Sequence, residues 1–285
     1  MQTNVVKALS NIKENGSNEL SDIYILKAGT SSENRINSVG EALEFFVKDA
    51  FCDTFGEKNI AKKQAEYNKF FSYIGNQNNP PDIILKKSDA IEVKKIDGVK
   101  AADLALNSSY PKSKLYSDSP MITTACKNCE QWKEKDMLYS VGFIEGTEVK
   151  LIIFIYGDCY AASREIYERV RGSVVDGLKK LNLELAETDE LGRVNRVDPL
   201  GITNLRIRGM WTIQNPLKVF SGLLRYEYNH GFSAFAIMRK SKFESLDEED
   251  KNIASSEFGK EIVKIRDPDN PAKILDAVLL KFISH

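Results

Sequence analysis

The chain has 285 residues, 42% hydrophobic and 28% charged, with a formal net charge of −1. That balance suits an ordinary globular protein and excludes a fibrous or disordered one. Whole-chain charge gives no bias towards nucleic acid, so any basic surface must be local, and no run approaches the roughly 20 apolar residues of a membrane span.

The N-terminus, Met1 to Asn4, lacks a basic region followed by an apolar block, which predicts no signal peptide and, by default, a cytoplasmic location. Cys126 and Cys129 form a C-x-x-C, while Cys52 and Cys159 stand alone. A zinc site would want a second such pair or paired histidines, and the two histidines, His230 and His285, are far apart in sequence. The expectation is reduced thiols.

Leu9 to Ile12 begin a short helix, and Gly29 to Asn34 read as loop. Ser38-Val-Gly-Glu41 is a capping-box pattern that predicts the start of a strong helix. Ile36, Val39, Leu43, Phe46, Val47 and Ala50 recur at helical spacing and form its buried stripe. Glu41 lies opposite that stripe and serves the cap. Glu44 lies at the stripe's edge, where a carboxylate either enters a cleft beside the core or sits on a solvated flank. Residues 57–74 read as a second helix, apolar at Ile60, Tyr67, Phe71 and Ile74 and ending at Gly75. The loop Asn76 to Pro81 is held extended by its two prolines.

Pro81 to Lys94 reads as a hairpin. Ile83 to Leu85 is apolar, and the next stretch alternates, with Ile91 and Val93 on one face and Glu92 and Lys94 on the other. A three-residue loop such as Lys87 to Asp89 would set Asp82 opposite Lys94, on the same face. Lys87-Ser88 is not a favoured two-residue turn. Two carboxylates with an amine beside them suit Mg²⁺, which takes hard oxygen ligands and is usually held by one or two carboxylates, phosphate and water. Such a metal polarises a phosphodiester and generates hydroxide; the lysine orients water or offsets phosphate charge. A solvated hairpin face would read the same way.

Asp97-Gly98 is a turn. Asn107 to Ser119 is a polar loop carrying Ser108, Ser109, Tyr110, Lys112 and Lys114, groups suited to phosphate and base edges. Met137 to Ile144 and Val149 to Tyr156 are strands joined by a turn at Glu145 to Thr147, the second apolar enough to be central. Residues 162–181 form a helix with Ile166, Val170, Val174, Leu178 and Leu181 inside. Strands among helices without regular β-α-β alternation predict the α/β class, with a mixed central β-sheet flanked by helices.

From Gly192 to Lys240 basic residues dominate, among them Arg193, Arg196, Arg206 and Arg208, opposed by Asp198 and Glu227. Arg206 and Arg208 alternate with Leu205 and Ile207 and so share a strand face. Trp211, Gln214 and Asn215 follow. Arginine suits guanine and Gln or Asn suits adenine, so this face can read a groove; a solvated β-surface is the alternative. Tyr226 to Gly231 turns between two further strands, residues 244–250 are acidic, and Asn270-Pro271 opens a last amphipathic helix through Phe282. With no repeat and no flexible linker, residues 1–285 are expected to form a single domain. Its catalytic core would span about 35–182, and its DNA-recognition elements about 107–119 and 192–240.

The Pro-Asp, spacer, Glu-x-Lys pattern of Asp82, Glu92 and Lys94 resembles the metal-dependent nuclease superfamily of the type II restriction endonucleases. Ile91-Glu-Val-Lys-Lys, Leu106-Asn-Ser-Ser-Tyr-Pro-Lys-Ser-Lys-Leu-Tyr and Arg206-Ile-Arg-Gly-Met-Trp-Thr-Ile narrow the resemblance to the NgoPII-like family over roughly residues 35–240. The resemblance implies a restriction-endonuclease-like core with Asp82, Glu92 and Lys94 catalytic. Asp82 and Glu92 would hold the metal, with Glu44 as an outer ligand from the early helix. It also implies Mg²⁺-dependent cleavage of double-stranded DNA by a homodimer at a short GC-rich palindrome such as GGCC, with a companion DNA methyltransferase protecting host DNA. Two readings compete: a repair or structure-specific nuclease using the same hairpin, and a DNA-binding regulator without catalysis.

Overall fold

The computed structural model describes residues 2–15, 18–20, 32–76, 79–98, 103–106, 109–119, 121–181, 185–186, 188, 190–226 and 231–284. Helix α1 (Val5–Asn15) is followed by the long α2 (Ser32–Cys52) and by α3 (Ile60–Phe70). Leu43, Phe46, Val47 and Ala50 of the expected α2 stripe are buried; the side chains of Ile36 and Val39 lie outside the described residues. The helix starts at Ser32, so the Ser38 pattern lies within it and does not mark its first turn. Asp49 on α2 docks α3: its carboxylate takes Lys63 at 2.5 Å, and the Tyr67 and Thr54 hydroxyls at 2.6 Å each. A charge this buried is tolerated because every oxygen is paired.

The second expected helix is cut short. It is capped at Asn59, whose side chain accepts from the Lys62 amide, and it gives way to strand β1 (Phe71–Asn76). Phe71 and Ile74 therefore lie on a strand. β1 pairs antiparallel with β2 (Asn79–Leu85), which takes in both prolines of the expected extended segment. Gly75 makes this pairing possible, since a Cβ there would collide with the backbone of Pro81 and Asp82.

β3 (Ala90–Ile96) completes the hairpin, and β4 (Leu104–Ala105), β5 (Lys114–Tyr116) and the short α4 (Thr124–Lys127) follow. The expected polar loop thus contains a strand, β5, paired to β6 (Glu134–Glu145). β6 turns at Gly146, φ 65°, into β7 (Glu148–Tyr156). Leu151 to Ile155 of β7 are 0% exposed, the signature of a strand buried on both faces. Next come α5 (Arg164–Lys179), the β8 (Gly192–Val194) and β9 (Leu205–Ile207) hairpin, β10 (Thr212–Ile213) and α6 (Pro216–Val219). The segment before Gly231 ends in α6 and turns, not in a strand, and residues 227–230 lie outside the described set. β11 (Phe232–Arg239), α7 (Lys240–Glu244), α8 (Glu248–Glu257), β12 (Gly259–Arg266) and β13 (Ile274–Ser284) close the chain.

The main sheet has nine strands in the order β1-β2-β3-β6-β7-β11-β13-β12, with β5 added on β6. The β3–β6 and β7–β11 pairs are parallel and the rest antiparallel, so the sheet is mixed as expected. One face carries α1, α2, α3 and α8, packed on Ile83, Ile91, Ile152, Phe154, Ala236 and Leu280. The other is covered by the 104–132 and 216–226 segments, packed on Ile84, Tyr139, Ile153, Phe235 and Leu279.

Two expected burial patterns fail. The last segment is strand β13, not a helix. Ala277 to Leu280 are all buried because β13 lies between β11 and β12, with sheet neighbours on both sides. A short continuous apolar run does not distinguish that environment from a buried helix. On α5 no residue is buried; Val170 and Val174 are 46% and 43% exposed, and Leu181, past the helix end, is 58% exposed. The periodicity there is genuine, but the stripe joins neither sheet core.

Candidate active site

The β2–β3 hairpin turns through Lys86-Lys87-Ser88, with the Leu85 amide donating to the Asp89 carbonyl at 2.9 Å and Lys87 at φ 57°. The loop has three residues, as the face argument needed, but starts one position earlier than expected. Ile83 pairs with Ile91 and Ile84 with Ala90. Continued by one residue, that register sets Asp82 across from Glu92 rather than from Lys94. Asp82 and Glu92 remain on one face, because a shift of two preserves side-chain parity. Outside the hairpin, the Asp89 carboxylate takes the Tyr156 hydroxyl at 2.6 Å and Lys242 at 2.7 Å, which ties the turn to β7 and α7.

Asp82 Oδ2 accepts from the Val93 amide at 2.6 Å. Burial, reinforced by the neighbouring Glu92 charge, pushes the Asp82 carboxyl well above its ordinary range. Glu92 is buried, with Oε1 at 2.6 Å from Lys94 Nζ. Its other oxygen, Oε2, is buried without a hydrogen-bond partner. Burial alone would lower the Lys94 pKa, but the charges of Glu92 and Asp82 outweigh it and hold the amine protonated. Glu44 approaches from α2, which packs against β3. It is paired with Lys48 at 3.6 Å and raised in pKa by burial, and its charge is felt by Asp82 and Lys94. Among the described residues, no group of three or more His, Cys, Asp or Glu is arranged to hold a metal ion.

The structure brings in one further group that the sequence reading placed elsewhere. Lys112, expected at a DNA-facing surface, is only 5% exposed. Its amide donates to the Tyr139 hydroxyl at 2.7 Å, and its ammonium bonds Ser109 Oγ and, at 3.3 Å, the Tyr110 carbonyl. Burial lowers it to about 8, and the charges it feels are those of Glu92 and Lys94. It is therefore an interior cation beside the hairpin. Nothing in one dimension marks this, since Pro-Lys-Ser-Lys reads as solvated.

The NgoPII restriction endonuclease family model matches residues 3–269. The type II restriction enzyme NgoPII of Neisseria gonorrhoeae is 41% identical over 283 residues, covering 98% of this chain and 99% of that one. No solved structure matches. The chain belongs to the NgoPII restriction endonuclease family. It is accordingly a type II site-specific endonuclease of the NgoPII kind, and the match extends past Lys240, where the sequence resemblance could not be followed.

The residues expected to contact DNA fall into two groups in this NgoPII-family chain. From the loop, Ser109 and Tyr110 are buried with Lys112, and Ser108 lies outside the described residues. Tyr110 stacks on Tyr167 at 5.4 Å and donates to Glu168 at 3.1 Å, while Lys114 is paired to Glu134 at 2.6 Å. The second group is brought together on the β8–β9 hairpin. Arg193 lies directly opposite Arg206 in the register, and Arg196, at φ 56°, sits beyond β8. Arg206 and Arg208 do share a face, because both reach the same Glu190 carboxylate, at 2.6 and 2.5 Å. Those two arginines hold Glu190 down at about 2. Glu190 sits two residues before the stretch whose charges were counted, so the local basic excess is smaller than the sequence suggested. Gln214 is exposed, with its carbonyl accepting from Tyr160. Of the cysteines, Cys126 is buried in the second core and Cys129 packs against it.

Proposed function

We propose that this chain hydrolyses phosphodiester bonds of double-stranded DNA at a short GC-rich palindrome, GGCC being the candidate, with Mg²⁺ at Asp82 and Glu92. The observation that carries the reading is the Glu92 carboxylate, with one oxygen on Lys94 and the other buried and unpartnered. A buried, unpaired carboxylate oxygen beside a second carboxylate is costly unless a cation completes it. Two carboxylates suffice for Mg²⁺, whose remaining positions are filled by water and phosphate. When bound, the metal would polarise the scissile phosphate and lower the pKa of attacking water.

The chain's own groups do the rest. Asp82 is oriented by the Val93 amide. Lys94, held protonated by its two acidic neighbours, places a positive charge where phosphate enters. Glu44 serves as an outer acidic group whose charge reaches the pair. Sequence readout is assigned to Arg193, Arg196, Arg206, Arg208 and Gln214, with the forks of Arg206 and Arg208 suited to guanine once DNA displaces Glu190 from them. A palindrome read by one kind of chain calls for a two-fold homodimer, with a single domain in each chain. The setting is a cytoplasmic restriction-modification pair with a companion methyltransferase. Among the described residues no helix is long and apolar enough to cross a membrane.

The test is a plasmid digest in Mg²⁺ with the ends sequenced. Discrete bands are expected, with GGCC at every cut site once the paired ends are rejoined in the plasmid sequence. A smear or nicking would point to a structure-specific repair nuclease, and binding with no cleavage in Mg²⁺ or Mn²⁺ to a non-catalytic DNA-binding protein.

A further inference from the structure

Leu200 at 81% and Ile202 at 76% are the two most exposed large apolar side chains among the described residues. Both stand in the 195–204 loop, at the far end of the β8–β9 hairpin. Scattered exposed apolar residues are ordinary, but these two sit on a loop with a defined shape. Asp198 sets that shape. Its carboxylate accepts from the Leu200 amide at 3.0 Å and the Thr203 amide at 2.5 Å, and its carbonyl accepts from the Gly201 amide at 2.8 Å. The Val197 amide donates to the Thr203 carbonyl at 2.9 Å, and the Arg196 amide to Asn204 Oδ1 at 3.2 Å. Gly201, at φ 68°, makes the left-handed turn between Leu200 and Ile202.

The base of the hairpin is anchored and one of its faces is basic. Gly192 lies against Leu178 of α5, Leu185 and Ile207, and Val194 is buried. The other face carries Arg193 and Arg206, which lie directly opposite each other and so project to one side. Arg208 joins them at the Glu190 carboxylate. Residues 191–213 hold four arginines and a single carboxylate, that of Asp198, already bonded to backbone. A ribbon of this charge fits a polyanion, and two-stranded ribbons enter DNA grooves. Its apolar tip then needs an apolar counterpart. Phosphates and the polar base edges offer none, and the thymine methyl is missing from GGCC. What remains of the duplex is the face of its bases, which a leucine or isoleucine reaches by entering a base step, partly unstacking it and kinking the duplex.

We propose that the 195–204 loop is a wedge: the arginine face seats the hairpin on DNA, and Leu200 and Ile202 enter a base step and bend the duplex. The proposal rests on the reading above that these arginines contact DNA, and it adds how the duplex is deformed. The internal hydrogen bonds of the loop deliver both side chains already held in place, so little ordering cost falls on binding. Deformation of this kind discriminates among sequences at positions the protein does not touch.

The experiment uses the full-length protein and a GGCC duplex kept uncut by Ca²⁺ in place of Mg²⁺. Dyes at the two duplex ends report bending by energy transfer. A fluorescent base analogue, pyrrolo-cytosine within the site or 2-aminopurine beside it, reports unstacking. Wild type is expected to draw the ends together and to brighten one analogue position at least about twofold. Leu200→Ser/Ile202→Ser should lose both signals and bind about tenfold more weakly, with thermal unfolding unchanged because both side chains are exposed. Leu200→Met, still apolar, should keep both signals. Wild type that binds a straight, stacked duplex overturns the wedge, and so does a double variant that bends and brightens the duplex as wild type does; either leaves the arginine contact standing. Affinity that is also unchanged in Arg206→Ala/Arg208→Ala overturns the arginine reading with it. A wild-type dimer that the double serine variant dissociates in sedimentation without DNA makes the loop a contact between copies and overturns the wedge.

Discussion

In β3, Ala90 to Val93 are buried in sequence, with paired strands on both sides and helix α2 across one face. In α5, of 16 residues, none is buried, and the β8–β9 hairpin it leads to forms a small sheet of its own. The first region is over-determined: register, both cores and the Asp89 anchor all specify where Glu92 sits. Such surroundings can hold charged groups in an unfavourable setting, as the Asp82–Glu92 pair requires. The second region makes its contacts at its margin, through Tyr167 and Glu168, and leaves much of its surface open. The residues proposed for chemistry lie in the first region, and those proposed for recognition in or beside the second.

The largest effects should come from the hairpin charges. Asp82→Ala and Glu92→Ala are each expected to lower single-turnover cleavage about a thousandfold or more while leaving duplex binding intact or tighter. Lys94→Ala should lose most activity as well. Unchanged turnover in the Asp82 or Glu92 variant would remove the hairpin from the mechanism and erase the contrast.

Gly157→Ala tests the rigid side without touching a charge. A Cβ there would run into the carbonyl oxygens of Lys112 and Ser113. Backbone cannot yield as a side-chain end can, so a loss of roughly 2–4 kcal/mol is expected in urea denaturation. Val174→Ala, at a half-exposed position of α5, should stay within about 0.5 kcal/mol. Equal losses would mean that Val174 is as tightly packed as Gly157, and would erase the contrast.

Lys112 sharpens the comparison through pH. Its folded value, about 8, lies below the ordinary 10.5, so between those pH values the unfolded chain binds more protons. Stability from this group therefore rises with pH across that window, and below about pH 8 its full penalty is present. That gap corresponds to about 3 kcal/mol. Lys112→Met should flatten the rise between pH 8 and 10.5. At pH 7 it should be more stable than wild type, by less than that figure because Ser109 and the Tyr110 carbonyl lose a donor. Parallel stability–pH curves for the two proteins would refute the buried placement.

The smallest effect is expected at the β8–β9 hairpin. Arg206→Lys and Arg208→Lys keep the charge but lose the planar fork. Each should weaken cognate binding about tenfold while barely changing non-cognate binding or its salt slope. Equal losses on both DNAs, measured by salt titration, would make these arginines backbone contacts.

The local chemistry of the hairpin was legible in the sequence because a strand's two-residue period sorts Glu92 and Lys94 from Ile91 and Val93 without reference to anything distant. The same holds for β6, β7 and the turn at Gly146, whose apolar runs and glycine are local signals. The Arg206–Arg208 face was legible for the same reason. What the sequence could not determine was which faces find partners. The α5 stripe and the β13 run are both apolar, yet one is exposed and the other lies inside the sheet, because burial depends on strand order. Asp82 faces Glu92 rather than Lys94 because the turn begins at Lys86, a choice tied to the Asp89 contacts with Tyr156 and Lys242, which lie 67 and 153 residues away along the chain. Lys112 is interior, and Glu190 holds two arginines, for a similar reason. Charges meet through space, and only the folded chain decides which ones share it.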